Sequence, residues 1–306
     1  MPTIEGNRIA VVGAGAVGCY FGGMLARAGV AVTLIGRAEH VEAIRRHGLL
    51  IDGLRVHEHV RVGASTELSA AGGAEIVLFC VKTTDTESAA RSVLPYLGAG
   101  SVLISMQNGV DNVDRIRAAT GRNAVAAVVY VAAAMSGPGK VTHSGRGDLV
   151  IAQGPASAAV ARMFERAEVP CRISEEIGVE LWKKMLMNCA YNAVSALGRA
   201  RYGVITRHEG ARELIRTVIE EAAAVARADG VELDADEMTE AGYRLGEAMS
   251  EATSSTAQDI GRGKATEIDS LNGYVVRRGS KRGIPVPVNR ALWTLVKMLE
   301  GSGQGG

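Results

Sequence analysis

Charge of one sign, paired cysteines and long apolar runs are all missing from this sequence of 306 residues. The formal net charge is +1, so neither nucleic acid nor an anionic membrane surface is an expected partner. The four cysteines, Cys19, Cys80, Cys171 and Cys189, are scattered and form no CxxC pair. Their apolar surroundings predict reduced, buried thiols and exclude a disulfide scaffold or a zinc ribbon. Six histidines, among them His57, His59 and His143, show no ligand spacing, and no metal site is expected. The longest apolar stretch, near VAAVVYVAAAM, is too short to cross a bilayer. MPTIEGNRIAVVG enters a strand almost at once, which leaves no room for a signal peptide. With 47% hydrophobic and 22% charged residues, the composition is that of a globular chain, expected in the cytoplasm.

What is present falls into two halves of different rhythm. RIAVVG, VAVTLIG, EIVLFCVK, SVLISMQNG and NAVAAVVYV are near-continuous apolar runs, as in parallel strands buried on both faces. Ala-rich helical pieces such as VGCYFGGMLARAG separate them, which predicts an α/β, Rossmann-type doubly wound parallel sheet. HSGRGDLVIAQG reads as a late strand or hairpin and VPCRISEEI as a last extended piece. From about residue 176 strands become scarce. ELWKKMLMNCAYNAVSAL, RELIRTVIEEAAAVARADG, DEMTEAGYRLGEAMSEA, TEIDSLNGYVVRRGSKRG and PVNRALWTLVKMLE all read as helices, with Gly198 and Gly230 as stops and Thr266 opening a Thr-x-x-Asp start signal. The expected organisation is a doubly wound α/β domain over 1–173 and an all-helical domain over 174–306, ending in a disordered GSGQGG tail. No internal repeat is visible.

Gly13-Ala14-Gly15-Ala16-Val17-Gly18 follows the first strand and opens a helix. In that context the three glycines permit, in turn, a tight turn, close approach of a pyrophosphate, and close packing of helix on strand. The helix N-terminus then offers N–H groups to the anion. Where an NAD site carries an acidic residue after the second strand, this chain has Gly36-Arg37, with Glu39 close by. A guanidinium suits a 2′-phosphate, so the expected cofactor is NADP(H). Lys82 and Gln107-Asn108-Gly109 follow two further strands. Ligands of open α/β sheets lie beyond those carboxyl ends, so Lys82 and Asn108 are expected at the cofactor, with Asn108 reaching the substrate as well.

One helix carries an unusual stripe. Within ELWKKMLMNCAYNAVSAL, Lys184, Asn188 and Asn192 are four residues apart. Steps of four keep them on a stripe roughly 80° wide and about 12 Å long. Flanked by Leu, Met and Ala, the stripe is expected to face a ligand cleft. Trp182 and the methionines near it read as core.

With GAGAVG, CVKT, QNG, ELWKKMLMNCAYN, QDIGRGKATEIDSLNG and PVPVN in this order, nearly the whole chain, from Arg8 to about Glu300, resembles the ketopantoate reductases (2-dehydropantoate 2-reductases). The lysine helix and the TEID segment are the specific parts. The resemblance implies a Rossmann domain plus a helical domain, and reduction of 2-dehydropantoate to (R)-pantoate by NADPH in pantothenate biosynthesis. It implies Lys184 as the catalytic lysine, Asn108, Asn188, Asn192 and Ser255 as substrate-holding residues, and Glu267 as the acidic partner, also at the cofactor. It carries over the glycine loop and Arg37. The chain departs from the family at Ala252, where an asparagine is common, and at Thr256-Ala257, where large apolar residues are common. These departures keep open a related reductase of another branched or hydroxylated 2-keto acid. A non-catalytic NADPH sensor is the remaining reading, though it should lack the lysine and its amide line.

The chemistry fits the residue types. Reducing a 2-keto acid needs a hydride on C2 and a proton on the developing alkoxide. A lysine ammonium, ordinarily titrating at about 10.4, can supply the proton and stabilise the growing charge. The amides can bind hydroxyl and carbonyl groups, Ser255 can donate to the carboxylate, and Glu267 can hold a substrate hydroxyl or tether the ammonium. The helical second domain is of a kind that supports homodimers, and the oligomeric state is left open.

Overall fold

The structure, a computed structural model, describes residues 8–302. The chain divides into two compact units between Ile177 and Gly178. In the first, strands β1 (Arg8–Val12), β2 (Ala31–Ile35), β3 (Leu49–Gly53), β4 (His57–Val60), β5 (Gly63–Ser65), β6 (Ile76–Phe79), β7 (Val102–Ser105), β8 (Ala124–Gly137), β9 (Lys140–Ala152) and β10 (Cys171–Ser174) are joined by helices α1 (Ala16–Arg27), α2 (Ala38–His47), α3 (Thr86–Val93), α4 (Asn112–Thr120) and α5 (Ser157–Arg166).

Strands β5-β2-β1-β6-β7-β8 lie side by side and are all parallel, which is the 3-2-1-4-5-6 order of a doubly wound sheet. The apolar runs make sense on both faces. Ile9 and Val11 of β1 enter one core with Phe21 and Leu25 of α1 and Phe164 of α5. Ala10 and Val12 enter the other with Ala90 of α3 and Ile116 of α4. Each fully buried Phe, Leu or Ile contributes about 1.5–3 kcal/mol, so two covered faces hold the strand ends firmly in place.

Beyond β8 the sheet becomes mixed. HSGRGDLVIAQG forms part of β9, the antiparallel arm of a long hairpin with β8. Strand β9 in turn pairs in parallel with β3 and β10, and β4 closes the edge antiparallel to β3. The sequence reading missed β3, β4 and β5. Strand β4 is HEHV and β5 is GAS, three residues long; neither offers an apolar run to read, and both are fixed by their neighbours in the sheet.

The second unit is built from α6 (Ile177–Gly198), α7 (Tyr202–Arg207), α8 (Glu209–Ala228), α9 (Ala235–Ala248), α10 (Ser255–Gly261), α11 (Asn272–Arg282) and α12 (Pro287–Ser302). Helix α8 packs against α7, α9, α11 and α12. Helix α6 is tied to α9 by Tyr191, whose hydroxyl donates to the Gly242 carbonyl at 2.8 Å, and to α11 by Asn272, whose amide donates to the Cys189 carbonyl at 3.1 Å. Trp182 is buried and sits edge-on to Tyr274 at 6.0 Å, as a core residue should.

Two readings in this unit need correction. The TEID segment does not open a helix at Thr266: a short 3-10 turn spans Ile268–Ser270, and the helix starts at Asn272. Thr266 spends its hydroxyl on Glu300 instead of on a helix start. Gly301 and Ser302 of the expected tail complete α12, and residues 303–306 lie outside the described residues. Among the described residues no helix is long and apolar enough to cross a membrane.

Candidate active site

The register of the parallel strands puts four carboxyl ends level. Val12 stands beside both Ile35 and Phe79, and Phe79 beside Ser105. Gly13, Gly36-Arg37, Lys82 and Asn108 each follow one of these ends within three residues, so the structure brings the cofactor residues read from sequence onto one rim.

Gly13 and Gly18 of the loop make the tight turn and the close packing expected of them. Gly13 turns at φ +113°, and a Cβ there would stand 2.6 Å from the backbone of Cys80 and Val81. The turn is fastened to β2, because the Gly13 and Ala14 N–H groups both donate to the Ile35 carbonyl at 2.9 Å. A Cβ at Gly18 would collide with the Gly13 carbonyl and stand 2.8 Å from Val11, so this glycine lets α1 close on β1. At Gly15 a Cβ would meet nothing within 4 Å, which leaves room for a ligand against the backbone. Gly15 precedes α1, no side chain caps that helix, and its first turn holds no acidic residue. The uncapped N–H groups of Ala16, Val17 and Gly18 suit an anion, and the loop fits a pyrophosphate.

Arg37 is exposed at the start of α2, and no hydrogen bond or ion pair engages its side chain among the described residues. Glu39 lies in the first turn of the same helix. Lys82 and Asn108 are half-buried. Asn108 is held by its backbone: its carbonyl accepts from the Thr83 hydroxyl at 2.9 Å and from the Asn112 amide at 2.7 Å. Gln107 beside it is buried and structural. It accepts from Ser105 at 3.0 Å and donates to the Val81 carbonyl at 3.2 Å and to Thr86 at 2.7 Å. The Thr86 hydroxyl in turn lies 2.9 Å from the Asn112 Oδ1. Sequence reasoning missed Thr83, Thr86 and Asn112, because nothing in their spacing marks residues far apart in the chain as one network.

In the second unit Lys184 and Asn188 are half-buried along α6, while Asn192 at the end of the stripe is 4% exposed. Asn192 reaches Ser255, its amide nitrogen 3.5 Å from the hydroxyl. In the run Thr253-Ser254-Ser255-Thr256 the two serines are placed differently. Ser254 caps α10, accepting from the Ala257 N–H at 3.0 Å, and donates to the Asn192 carbonyl at 3.0 Å. Ser255, released from capping, is exposed at the first position of the helix. Ser254 was missed by the sequence reading, although the run of four hydroxyl residues was its signal. Thr256, the second residue of α10, is buried, and the Ala252 carbonyl accepts from the Tyr202 N–H at 3.0 Å. Glu267 is half-buried and precedes the 3-10 turn, outside the helix that the TEID segment was expected to open.

The thiols are all free. Burial pushes Cys19 and Cys171 up to about 12 and raises Cys80 and Cys189 further still, so none is a thiolate nucleophile at neutral pH. Among the described residues no group of three or more His, Cys, Asp or Glu could hold a metal ion.

A sheet of this strand order, with a glycine turn pressed against its central strands, belongs to the dinucleotide-binding class of α/β folds. Comparison with known proteins narrows the class. The chain belongs to the ketopantoate reductase PanE/ApbA family, whose sequence models match residues 9–156 and, for the C-terminal part, residues 176–300. Members of the family are oxidoreductases that use NADP. The 2-dehydropantoate 2-reductase of Pyrococcus abyssi is 32% identical over 295 residues, covering 95% of this chain and 97% of its own. That of Halobacterium salinarum is 32% identical over 311 residues, covering 97% and 100%. Among solved structures, a PanE/ApbA family ketopantoate reductase from Ralstonia eutropha JMP134 superposes with a TM-score of 0.93 at 50% identity, covering 97% of this chain and 99% of its own. D-mandelate dehydrogenase, solved with NADH and anilino(oxo)acetate, gives 0.91 at 25% identity with the same coverage.

Proposed function

We propose that the protein is a 2-dehydropantoate 2-reductase, reducing ketopantoate to (R)-pantoate with NADPH. The observation that carries this reading is the stripe on α6: Lys184 and Asn188 half-buried in line, Asn192 at its end, and Ser255 beside Asn192. When bound at the glycine loop, the reduced nicotinamide supplies hydride to C2 of the keto acid. Lys184 stabilises the negative charge that develops on the carbonyl oxygen and delivers the proton to it. Asn188 and Asn192 bind carbonyl and hydroxyl groups without adding charge. Ser255 donates to the carboxylate, and Glu267 holds a hydroxyl of the substrate or tethers the Lys184 ammonium. Asn108 serves substrate and nicotinamide ribose, with Lys82 on the same rim. Residues 178–302 thus form the substrate and catalytic part, and the first unit holds the cofactor.

A reductase of another branched or hydroxylated 2-keto acid is the second reading. It is favoured by the likeness to D-mandelate dehydrogenase and by Ala252. The deciding experiment follows loss of NADPH absorbance with purified protein, ketopantoate and a panel of other 2-keto acids. A kcat/KM for ketopantoate at least ~100-fold above the panel supports the first reading, and the same margin for another acid supports the second. Inactivity on every acid removes both.

The cofactor part of the proposal has its own test. Arg37 has no competing partner among the described residues, so its guanidinium is available to a 2′-phosphate. Losing a charged hydrogen-bond donor costs about 1.5–3 kcal/mol. Arg37→Ala is therefore expected to lower kcat/KM for NADPH roughly 10- to 150-fold and to leave NADH nearly unchanged. Equal losses for the two cofactors refute the phosphate role.

A further inference from the structure

Glu267 is held by a helix that the reaction scheme does not otherwise use. Trp293, Lys297 and Glu300 lie on one face of α12, at i, i+4 and i+7, and all three engage the segment that carries Glu267. One carboxylate oxygen of Glu300 accepts from both the N–H of Thr266, at 2.7 Å, and its hydroxyl, at 2.6 Å. The Thr266 hydroxyl in turn accepts from the Ile268 N–H at 3.1 Å. On the far side of Glu267, Asp269 accepts from the Trp293 indole at 2.7 Å and from the Lys297 ammonium at 2.9 Å. Lys297 also pairs with the second oxygen of Glu300 at 2.6 Å, and Arg277 donates to the Asp269 carbonyl at 2.7 Å. The residues on either side of Glu267 are thus fastened to the same helix.

The clamp is built to be ionised. The Glu300 side chain is only 13% exposed. Burial acts to raise its carboxyl, but the Lys297 ammonium and the two Thr266 donors outweigh that and hold it below the usual carboxylate range. Asp269 is held low in the same way, by Lys297 and Trp293 against its burial. Charge-assisted bonds of this kind are shorter and stronger than neutral ones. Thr266 is 3% exposed and Ile268 fully buried, so water is a poor substitute for Glu300 at these donors.

We propose that Glu300 is a positioning residue for Glu267, acting through Thr266; this rests on the reading of Glu267 as a group at the reaction centre. The test is a double-mutant cycle on the full chain, with kcat read from NADPH oxidation and ketopantoate. It uses the wild type, Glu300→Ala, Glu267→Gln and the double variant, with Glu300→Gln as the conservative control. A misplaced group at a reaction centre costs up to about 100-fold, and Glu300→Ala is expected to lower kcat by roughly tenfold or more. Glu300→Gln keeps an oxygen for Thr266 and should recover most of the rate. The double variant should be no slower than Glu267→Gln alone, because the partner through which Glu300 acts is already disabled.

A purely structural role predicts a lower melting temperature, with wild-type kcat below it or losses that multiply in the double variant; either result overturns the proposal. Impaired Glu267→Gln beside unimpaired Glu300→Ala overturns the positioning role alone. Wild-type kcat in Glu267→Gln overturns the reading of Glu267 and the positioning claim with it. Should Glu300→Ala not accumulate as folded protein, Thr266→Val, which deletes the hydroxyl and keeps the N–H, runs through the same cycle under the same criteria.

Discussion

Replacing Lys184 by alanine is expected to lower kcat by about 100- to 10,000-fold, the range for loss of a positioned general acid, while NADPH still binds. The asymmetry follows from where the groups lie. The glycine loop and Arg37 are built by β1, α1 and the end of β2, all in the first unit, whereas α6 belongs to the second. Lys184 is half-buried on α6 beside Met185 and Leu186, which are fully packed, so truncating it leaves the helix's buried face intact. Two measurements separate the effects: nucleotide affinity by quenching of intrinsic or cofactor fluorescence, and kcat by NADPH oxidation. Lys184→Arg refines the result. It keeps a positive charge, but a guanidinium does not give up a proton at neutral pH; partial recovery of rate would assign that share to charge stabilisation and the remainder to proton transfer. Unchanged turnover in Lys184→Ala would end the assignment of the acid.

Much of this was legible in the chain because the relevant signals are local. A glycine loop is recognisable from three positions within six residues, and a stripe of residues four apart lies on one helix. Strands buried on both faces announce themselves as apolar runs, as β1, β2, β6, β7 and the first part of β8 did. What was not legible depends on partners distant in sequence. Strand β4 is polar in composition and exists because β3 pairs with it. Thr266 resembles a helix start in its local pattern, but Glu300, thirty-four residues on, claims its hydroxyl and N–H. Of the adjacent serines, only the packing of α10 against α6 decides that Ser254 caps and bonds the Asn192 carbonyl while Ser255 is left exposed. Local pattern finds the candidates; long-range hydrogen bonding decides which of two neighbouring serines is tied into the fold and which is left accessible.

The largest effect on cofactor binding is expected at Gly15, and its contrast with Gly13 makes the cause identifiable. Gly15 has φ −88° and ψ −168°, an extended conformation that any L-residue adopts. Apart from its two chain neighbours, a Cβ there meets nothing within 4 Å. Gly15→Val should therefore fold, losing at most about 1 kcal/mol for a poorer helix-start residue. Its isopropyl group would occupy the space above the uncapped start of α1, and NADPH affinity is expected to fall by roughly 100-fold or more, about 2.7 kcal/mol. Gly13 sits at φ +113°, with Cys80 and Val81 backbone atoms 2.6 Å from where a Cβ would stand. Gly13→Ala should lose stability whether or not nucleotide is present: strain at such a φ costs about 1–3 kcal/mol, and the collision adds to it. For a unit of this size each kcal/mol lowers the melting temperature by about 2–4 °C. Melting curves with and without NADPH distinguish the two variants. Wild-type protein and Gly13→Ala should each gain stability from the nucleotide, whereas Gly15→Val should melt near the wild-type apo temperature and gain almost nothing. An NADPH affinity in Gly15→Val within about threefold of wild type, under 0.7 kcal/mol, would remove the pyrophosphate from this loop.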